Sequence, residues 1–261
     1  MEAVAVNPVI KVAALCGSLR KGSFNRGLLR SAIQLSKESV NGMEIEYIDI
    51  SPLPMLNTDL EVNGTFPPVV QAFRQKILQA DSVLFASPEY NFSVTGPLKN
   101  AIDWASRPPN CWADKAAAIV STGGSFGGGR AQYHLRQIGV YLDLHFINKP
   151  EFYLNAFAPP AKFDSDGNLI DPPSKEKLKE VLLSLLAFTL RLKANMNPNS
   201  LYLFSPLRDM LAPMKNAIDW TSGAPDARAD KPATIVSATG GRGGAHDRGQ
   251  LHLRQTGVYL D

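Results

Sequence analysis

The chain has 261 residues, of which 44% are hydrophobic and 20% charged, a balance typical of a globular protein and not of a disordered one. The net charge is only +3 and the basic residues are scattered, whereas a nucleic-acid-binding protein concentrates them on one face. The only two cysteines, Cys16 and Cys111, argue against a disulfide scaffold and favour a reducing compartment.

Short apolar runs alternate with amphipathic segments from residue 10 to residue 193. The run Ile10–Cys16 predicts a buried strand, and the apolar residues at helical spacing after it predict a helix over residues 25–39. Further strands are predicted at residues 43–48, Ser82–Ala86, 116–121 and 146–152, and further helices at residues 67–79, 97–106, 130–142 and 175–193. Strands and helices that alternate in this way predict an α/β protein with a doubly wound parallel sheet, whose ligands bind at the carboxyl ends of the strands.

The end of the chain repeats an earlier segment. Residues 213–236 (PMKNAIDWTSGAPDARADKPATIV) match residues 97–120 (PLKNAIDWASRPPNCWADKAAAIV), and residues 252–261 match residues 134–143. The copy holds one helix–strand–loop–helix unit, and a single parallel strand without neighbours does not form a sheet. We therefore expect one complete domain at residues 9–195, followed by residues 196–261 as an incomplete duplicate of residues 97–143.

Residues 17–25 (GSLRKGSFN) directly follow the first strand and open the first helix. Backbone N–H groups at a helix start point into such a loop, and the helix dipole favours an anion there. Ser18, Ser23 and Asn25 add neutral donors, and Arg20 adds a charged donor fork. The loop predicts a site for a terminal phosphate; the alternative is a plain strand–helix turn with Ser23 or Asn25 as the N-cap.

Three common phosphate-binding motifs do not fit this loop. A P-loop requires Lys and then Ser or Thr after its second glycine, but Gly22 is followed by Ser23 and Phe24. The dinucleotide fingerprint G-x-G-x-x-G is absent from the loop. A phosphatase loop of the form C-x5-R that begins at Cys16 would place arginine where Gly22 stands. Of the phosphate ligands considered, a ligand that carries a single terminal phosphate is the one that still fits this loop.

Two later loops follow the third and fourth predicted strands, residues 87–91 (SPEYN) and the glycine-rich residues 121–129. Loops after strands one, three and four converge in a doubly wound sheet. Glycine lets the backbone approach a flat ring closely, and Tyr90 offers an aromatic face. The alternatives are an ordinary turn at residues 87–91 and a flexible loop with nothing bound at residues 121–129.

The loop at residues 17–25, the SPEYN segment and residues 96–104 (GPLKNAIDW) together resemble the NADPH-dependent FMN reductase family. The three motifs occur in the family's order, and the resemblance covers residues 10–193. It implies a flavodoxin-like fold with a five-stranded parallel sheet of order 2-1-3-4-5.

The resemblance also implies which residues bind FMN. The first loop would hold the phosphate, chiefly through Ser18, Arg20, Ser23 and Asn25. The second would shape the edge of the isoalloxazine ring through backbone groups, and the third would contact another part of the flavin. The expected cofactor-binding residues are Gly17, Ser18, Leu19, Arg20, Ser23, Asn25, Pro88, Glu89, Tyr90, Asn91, Ser121, Gly123 and Gly124.

The activity implied by the resemblance is an FMN-dependent NAD(P)H:quinone oxidoreductase that reduces quinones by two electrons in a ping-pong cycle. NADPH or NADH is the donor, no catalytic side chain is required, and the resemblance implies a homo-oligomer, a dimer or tetramer, with a role in oxidative stress. Two alternatives remain open: reduction of FMN, azo dyes or chromate by the same fold, and a non-enzymatic electron carrier of the flavodoxin type. A scaffold without flavin is a third.

We expect a cytoplasmic protein without a membrane span or a metal site. Residues 1–8 lack the basic and apolar regions of a signal peptide. The longest apolar run, residues 181–192, is interrupted by polar residues and too short to cross a bilayer. His134 and His145 have no cysteine or acidic residues at metal-ligand spacing.

Overall fold

The computed structural model describes residues 9–195, so the predicted repeat at residues 196–261 lies outside the described residues. Strands and helices alternate along the chain as predicted. The strands are β1 (Ile10–Cys16), β2 (Met43–Tyr47), β3 (Ser82–Ala86), β4 (Ala116–Gly123), β5 (His145–Phe146) and β6 (Phe152–Asn155). The helices are α1 (Phe24–Glu38), α2 (Pro68–Gln79), α3 (Gly96–Ser106), α4 (Gly129–Tyr141) and α5 (Pro172–Asn195), with a short 3-10 helix at Thr58–Leu60.

All strand pairs within the sheet are parallel, and the order is β2-β1-β3-β4-β5, with β6 also paired to β4. This confirms the predicted order 2-1-3-4-5 and the flavodoxin-like doubly wound arrangement. The chain reverses direction of winding between β1 and β3, and the carboxyl ends of β1, β3 and β4 therefore share one edge of the sheet.

The single strand predicted over residues 146–152 is wrong. Two short strands stand in its place: β5 pairs with Ala116 and Ala117 at the start of β4, and β6 pairs with residues 120–123 at its end. Pro150 lies between them and has no backbone N–H to donate to a ladder, so one continuous strand cannot form. The predicted five-stranded sheet thus has six strands, and β4 extends two residues further than expected.

The central strands are buried on both faces, and successive side chains enter different cores. In β1, Val12 and Ala14 belong to the core covered by α1 and α5, whereas Ala13 and Leu15 belong to the core covered by α2, α3 and α4. β3 and β4 repeat this alternation. Full burial of one such leucine or valine contributes about 1.5–3 kcal/mol, so this alternation fixes the register of the sheet.

Capping residues set the helix starts. The hydroxyl of Ser23 accepts from the backbone N–H of Arg26 at the start of α1, and the hydroxyl of Thr95 accepts from that of Leu98 at the start of α3. Pro97 occupies the first turn of α3 as predicted, where a missing N–H costs nothing. None of the helices within residues 9–195 combines the length and apolar character that a membrane span needs.

Candidate functional site

Direct backbone contacts join the carboxyl ends of the three central strands. The N–H of Gly17 donates to the carbonyl of Ala86 (2.8 Å), and that of Ser87 donates to the carbonyl of Val120 (3.3 Å). The hydroxyl of Thr95 donates to the carbonyl of Gly17 (2.6 Å). A Cβ on Gly17 would lie 2.7 Å from that hydroxyl oxygen, so only glycine fits where the first and second loops meet.

The loop after β1 offers hydrogen-bond donors at the start of α1. Ser18 and Ser23 are buried, whereas Leu19 and Arg20 are exposed. Five backbone N–H groups here have no protein acceptor within residues 9–195, and together with the helix dipole they suit an anion. These groups belong to Leu19, Lys21, Gly22, Phe24 and Asn25.

Cys16 ends β1 directly beneath this loop. Its sulfur accepts from the N–H of Ser18 (3.4 Å), and burial raises the pKa of the thiol above its ordinary value. A buried thiol with a raised pKa is a poor nucleophile, which suits a packing role for Cys16.

The side chain of Asn25 joins the first loop to β4. Its amide nitrogen donates to the carbonyl of Thr122 (2.9 Å), and its oxygen accepts from the N–H of Thr122 (3.0 Å). Asn25 is therefore bonded to both backbone groups of one residue at the end of β4, just beyond the reach of β3. The structure gives this side chain a positioning contact, and the backbone N–H of Asn25 is one of the five without a protein acceptor within residues 9–195.

The loop after β3 contains a tight turn. Tyr90 and Ser93 exchange two backbone hydrogen bonds (3.1 and 3.0 Å), and the two residues between them, Asn91 and Phe92, have positive φ values of 50° and 64°. Such a backbone is strained for a phenylalanine, and strained residues of this kind collect at functional sites. His134 supports the turn through a hydrogen bond between its Nδ1 and the hydroxyl of Ser93 (2.8 Å).

Glu89, from the same loop, extends to the start of α4. Its Oε2 accepts from the N–H groups of Arg130 (2.9 Å) and Ala131 (3.4 Å), and its Oε1 lies 3.3 Å from the Arg130 guanidinium. The residue at the N-cap position, Gly128, has no side chain that could cap the helix. Glu89 therefore supplies the cap from 41 residues away in sequence, which local sequence patterns do not reveal.

The loop after β4 is held mainly by Ser121. Its buried hydroxyl donates to the carbonyl of Gly127 (2.7 Å) and accepts from the Gln132 amide (2.7 Å). Gly127 and Gly128 both adopt positive φ, and a Cβ on Gly128 would lie 2.8 Å from the Cβ of Ser121. The Ser121 hydroxyl thus both donates and accepts within the protein, and the exposed Gly124 presents open backbone.

A fourth segment, which the sequence analysis missed, supports the first loop from behind. A hairpin at residues 163–169 packs so closely on α1 that a Cβ on Gly27 would lie 1.9 Å from the carbonyl oxygen of Gly167. Arg30 donates to the side chain of Asn168 (2.8 Å), and the ring of Phe24 stacks on that of Phe163 (4.5 Å). The sequence DSDGN at residues 164–168 predicts a turn, but it does not indicate that this turn contacts α1.

The thirteen residues predicted to bind a cofactor lie at this edge, in the three loops and in the adjoining ends of β4 and α1. Gly17 contacts the second loop, Asn25 contacts β4 and Glu89 contacts α4. Fold and site together define a flavodoxin-like α/β protein with a group of unpaired backbone N–H donors at the strand–helix turn after β1.

Comparisons with known proteins agree with this class. A family described as NADPH-dependent FMN reductase matches residues 10–159. The chain is 78% identical over 194 residues to an NADPH:quinone oxidoreductase of Arabidopsis thaliana, covering 74% of this chain and 99% of the relative. It is 74% identical over 190 residues to an NAD(P)H:quinone oxidoreductase of Solanum tuberosum, covering 73% and 98%.

A solved structure of FerB, a flavoenzyme NAD(P)H:(acceptor) oxidoreductase from Paracoccus denitrificans, superposes with a TM-score of 0.62 at 32% identity and covers 70% of this chain and 98% of that one. The chain belongs to the NADPH-dependent FMN reductase family.

Proposed function

We propose that the protein is an FMN-dependent NAD(P)H:quinone oxidoreductase. The observation that carries this proposal is the group of unpaired backbone donors at the start of α1, at the edge where the loops after β3 and β4 also meet. Membership of the NADPH-dependent FMN reductase family supports the cofactor, and the names of the Arabidopsis and potato relatives support the quinone acceptor.

The residues present fit the cofactor. The first loop combines five free backbone donors with the buried hydroxyls of Ser18 and Ser23, a neutral donor set suited to a phosphate, and the exposed Arg20 adds charge. Pro88, Tyr90 and Asn91 would shape the ring edge through the β3–α3 loop. Leu19 and the backbone at Gly17, Gly123 and Gly124 would complete the contacts.

Bound FMN would supply the redox chemistry, taking a hydride from NAD(P)H and passing two electrons to a quinone. The chain's own residues bind and orient the reactants. NAD(P)H and the quinone would occupy the same exposed place in turn, next to Tyr90, whose side chain is 63% exposed. The reaction proposed here needs no side chain of the protein as a proton donor or acceptor.

The first test is anaerobic titration of the FMN-reconstituted full chain with NADPH, followed by addition of benzoquinone. Loss of the flavin's visible absorbance with NADPH and its recovery with quinone is the expected result. Flavin that binds but is not bleached would favour the electron-carrier alternative. Failure to bind any flavin would overturn the phosphate-site argument.

A second test isolates the phosphate contact. Riboflavin lacks the phosphate and should bind much more weakly than FMN. Arg20→Ala should weaken FMN binding at least about tenfold, because a hydrogen bond to a charged group contributes about 1.5–3 kcal/mol and about 1.4 kcal/mol is tenfold. Lys21→Ala is the matched control, an exposed cation next in the same loop, and should change the dissociation constant less than about threefold. Equal losses in the two variants would mean that the loop acts only through net charge.

We further propose that residues 9–195 are the reductase domain and that residues 196–261 are an incomplete duplicate without a second flavin site. The two plant relatives support this, since they align over 190–194 residues that make up nearly their whole length. A chain that ends at Asn195 should bind one FMN per protomer, as should the full chain.

A cytoplasmic homo-oligomer, dimer or tetramer, that protects against oxidative stress is proposed on the same family basis. The two cysteines are buried and unpaired, as suits a reducing compartment. Two-electron reduction also avoids releasing one-electron-reduced quinones. Light scattering of the purified full chain would measure the oligomeric state.

A further inference from the structure

The carboxylate of Glu89 lies between two loops that flank the proposed ring site. Its side chain is 14% exposed, and three hydrogen-bond donors surround it: two backbone N–H groups of α4 and the Arg130 guanidinium. A carboxylate at a helix N-terminus satisfies orphan N–H groups and opposes the positive end of the helix dipole. Within the described residues, all its hydrogen bonds are to α4 and none is to the loop after β1.

Arg130, held by Glu89, lies between two aromatic rings. Its guanidinium is 4.1 Å from the centroid of Phe92 and 4.0 Å from that of Phe126. Phe92 belongs to the β3–α3 loop and Phe126 to the β4–α4 loop, and the two side chains are 63% and 61% exposed. A cation between two aromatic rings is attracted to the faces of both. Arg130 therefore links the β3–α3 loop to the β4–α4 loop, and the Glu89 carboxylate links the β3–α3 loop to the start of α4.

We propose that Glu89 is a positioning residue that fixes the β3–α3 loop to the start of α4 and thereby sets the affinity for the electron acceptor, without binding FMN itself. This rests on the proposed function. The strained Phe92 turn shows why a fixed anchor matters here: its backbone conformation persists only where surrounding contacts hold it. Arg130, in the first turn of α4, provides such a contact to Phe92, and Glu89 of the same loop holds Arg130 in place.

If the β3–α3 loop is displaced, the affinity for a quinone that stacks against this loop should fall. The affinity for FMN should fall less, because its phosphate is held at the loop after β1. Glu89→Ala should therefore raise the KM for benzoquinone about tenfold, with kcat and the FMN dissociation constant within about threefold of wild type. Glu89→Gln keeps an oxygen that accepts from the two N–H groups and should stay within about threefold for KM.

Two further variants keep the test decisive. Arg130→Met leaves the carboxylate cap but removes the cation between the rings, and should raise KM about fivefold even if Glu89→Ala folds poorly. Glu61→Ala breaks a comparable ion pair with Arg107 (2.6 Å) at the far end of α3 and is the matched control, which should leave KM unchanged. Amide hydrogen exchange at Arg130 and Ala131 should accelerate in Glu89→Ala and stay slow in Glu89→Gln.

An unchanged KM in Glu89→Ala, or an FMN affinity that falls as much as the acceptor affinity, would overturn the proposal. If the wild-type chain binds FMN but reduces no quinone, the proposed function fails separately. Visible circular dichroism of the bound flavin then decides the role of Glu89: a spectrum altered in Glu89→Ala at unchanged FMN affinity supports it, and an unaltered spectrum refutes it.

Discussion

The bond pair between Asn25 and Thr122 is the contact whose removal should weaken both the fold and the site. The Asn25 side chain is 4% exposed and bonds to both backbone groups of Thr122 (2.9 and 3.0 Å). Asn25→Asp preserves the size of the side chain and one acceptor but removes the N–H donor. It also places a carboxylate oxygen against the carbonyl of Thr122, where both groups only accept.

The expected loss follows from this geometry. A buried carbonyl left without a donor costs about 1–3 kcal/mol, and the buried charge adds to it, so the free energy of unfolding should fall by about 2–4 kcal/mol in Asn25→Asp. Asn110 is the matched control, because its amide also donates to one carbonyl, that of Leu142, and accepts from one N–H, that of Trp112 (both 3.0 Å). Asn110 is only half-buried, so Asn110→Asp should cost less than half as much.

Urea unfolding of the apo chains, followed by far-UV circular dichroism, measures the free-energy difference. Fluorescence of the flavin measures FMN affinity, which should fall in Asn25→Asp, because Asn25 holds the first loop against β4, and stay unchanged in Asn110→Asp. A free energy of unfolding within about 0.5 kcal/mol of wild type for Asn25→Asp would refute the reasoning, since surface substitutions alone lie within that range.

Two further predictions concern the support of the first loop and the acid limb of stability. Gly27→Ala should destabilise the fold by at least about 2 kcal/mol, because its Cβ would lie 1.9 Å from the backbone oxygen of Gly167, whereas Gly124→Ala, in open space, should be nearly neutral in the same urea assay. The Ser174 hydroxyl, by hydrogen bonding, lowers the pKa of Asp171 below its ordinary value. The stability that this carboxylate contributes is present above the unfolded-state pKa of about 4 and is lost as pH falls through the lowered folded-state pKa. Asp171→Asn should therefore lose less stability on acidification than wild type, and equal pH profiles would contradict the assignment.

The sequence predicted the fold well because its signals are local. β1 and β3 have the predicted bounds, and α1 and α3 begin within one residue of them, since a capping hydroxyl or a proline marks each start. The strand predicted at residues 146–152 failed for the opposite reason. Its apolar content is typical of a strand, but Pro150 interrupts the hydrogen-bond ladder. Whether these residues form one strand or two depends on pairing with β4, which is distant in sequence.

The sequence predicted the position of the three loops of the proposed site better than it predicted the contacts of their side chains. Topology alone places the loops after β1, β3 and β4 at one edge. The contacts of Asn25, Glu89 and Ser121 depend on how those loops meet, and the first two join residues 97 and 41 positions apart. Residue type predicted each as a ligand-binding group, yet within the protein each is bonded to backbone of a neighbouring element. Local sequence cannot distinguish a polar side chain that binds a ligand from one that holds a loop.

Helix α1 and helix α4 both start at the carboxyl edge of the sheet after a glycine-containing loop, and by the helix dipole alone either start could receive an anion. The structure distinguishes them. At α4 the carboxylate of Glu89 occupies the N–H groups of Arg130 and Ala131. At α1 the Ser23 hydroxyl satisfies only the N–H of Arg26, and five N–H groups between Leu19 and Asn25 have no acceptor within the described chain. An incoming phosphate would therefore meet repulsion at α4 and open donors at α1. This asymmetry supports the proposed placement of the flavin phosphate at α1 and of the ring beside the loop before α4.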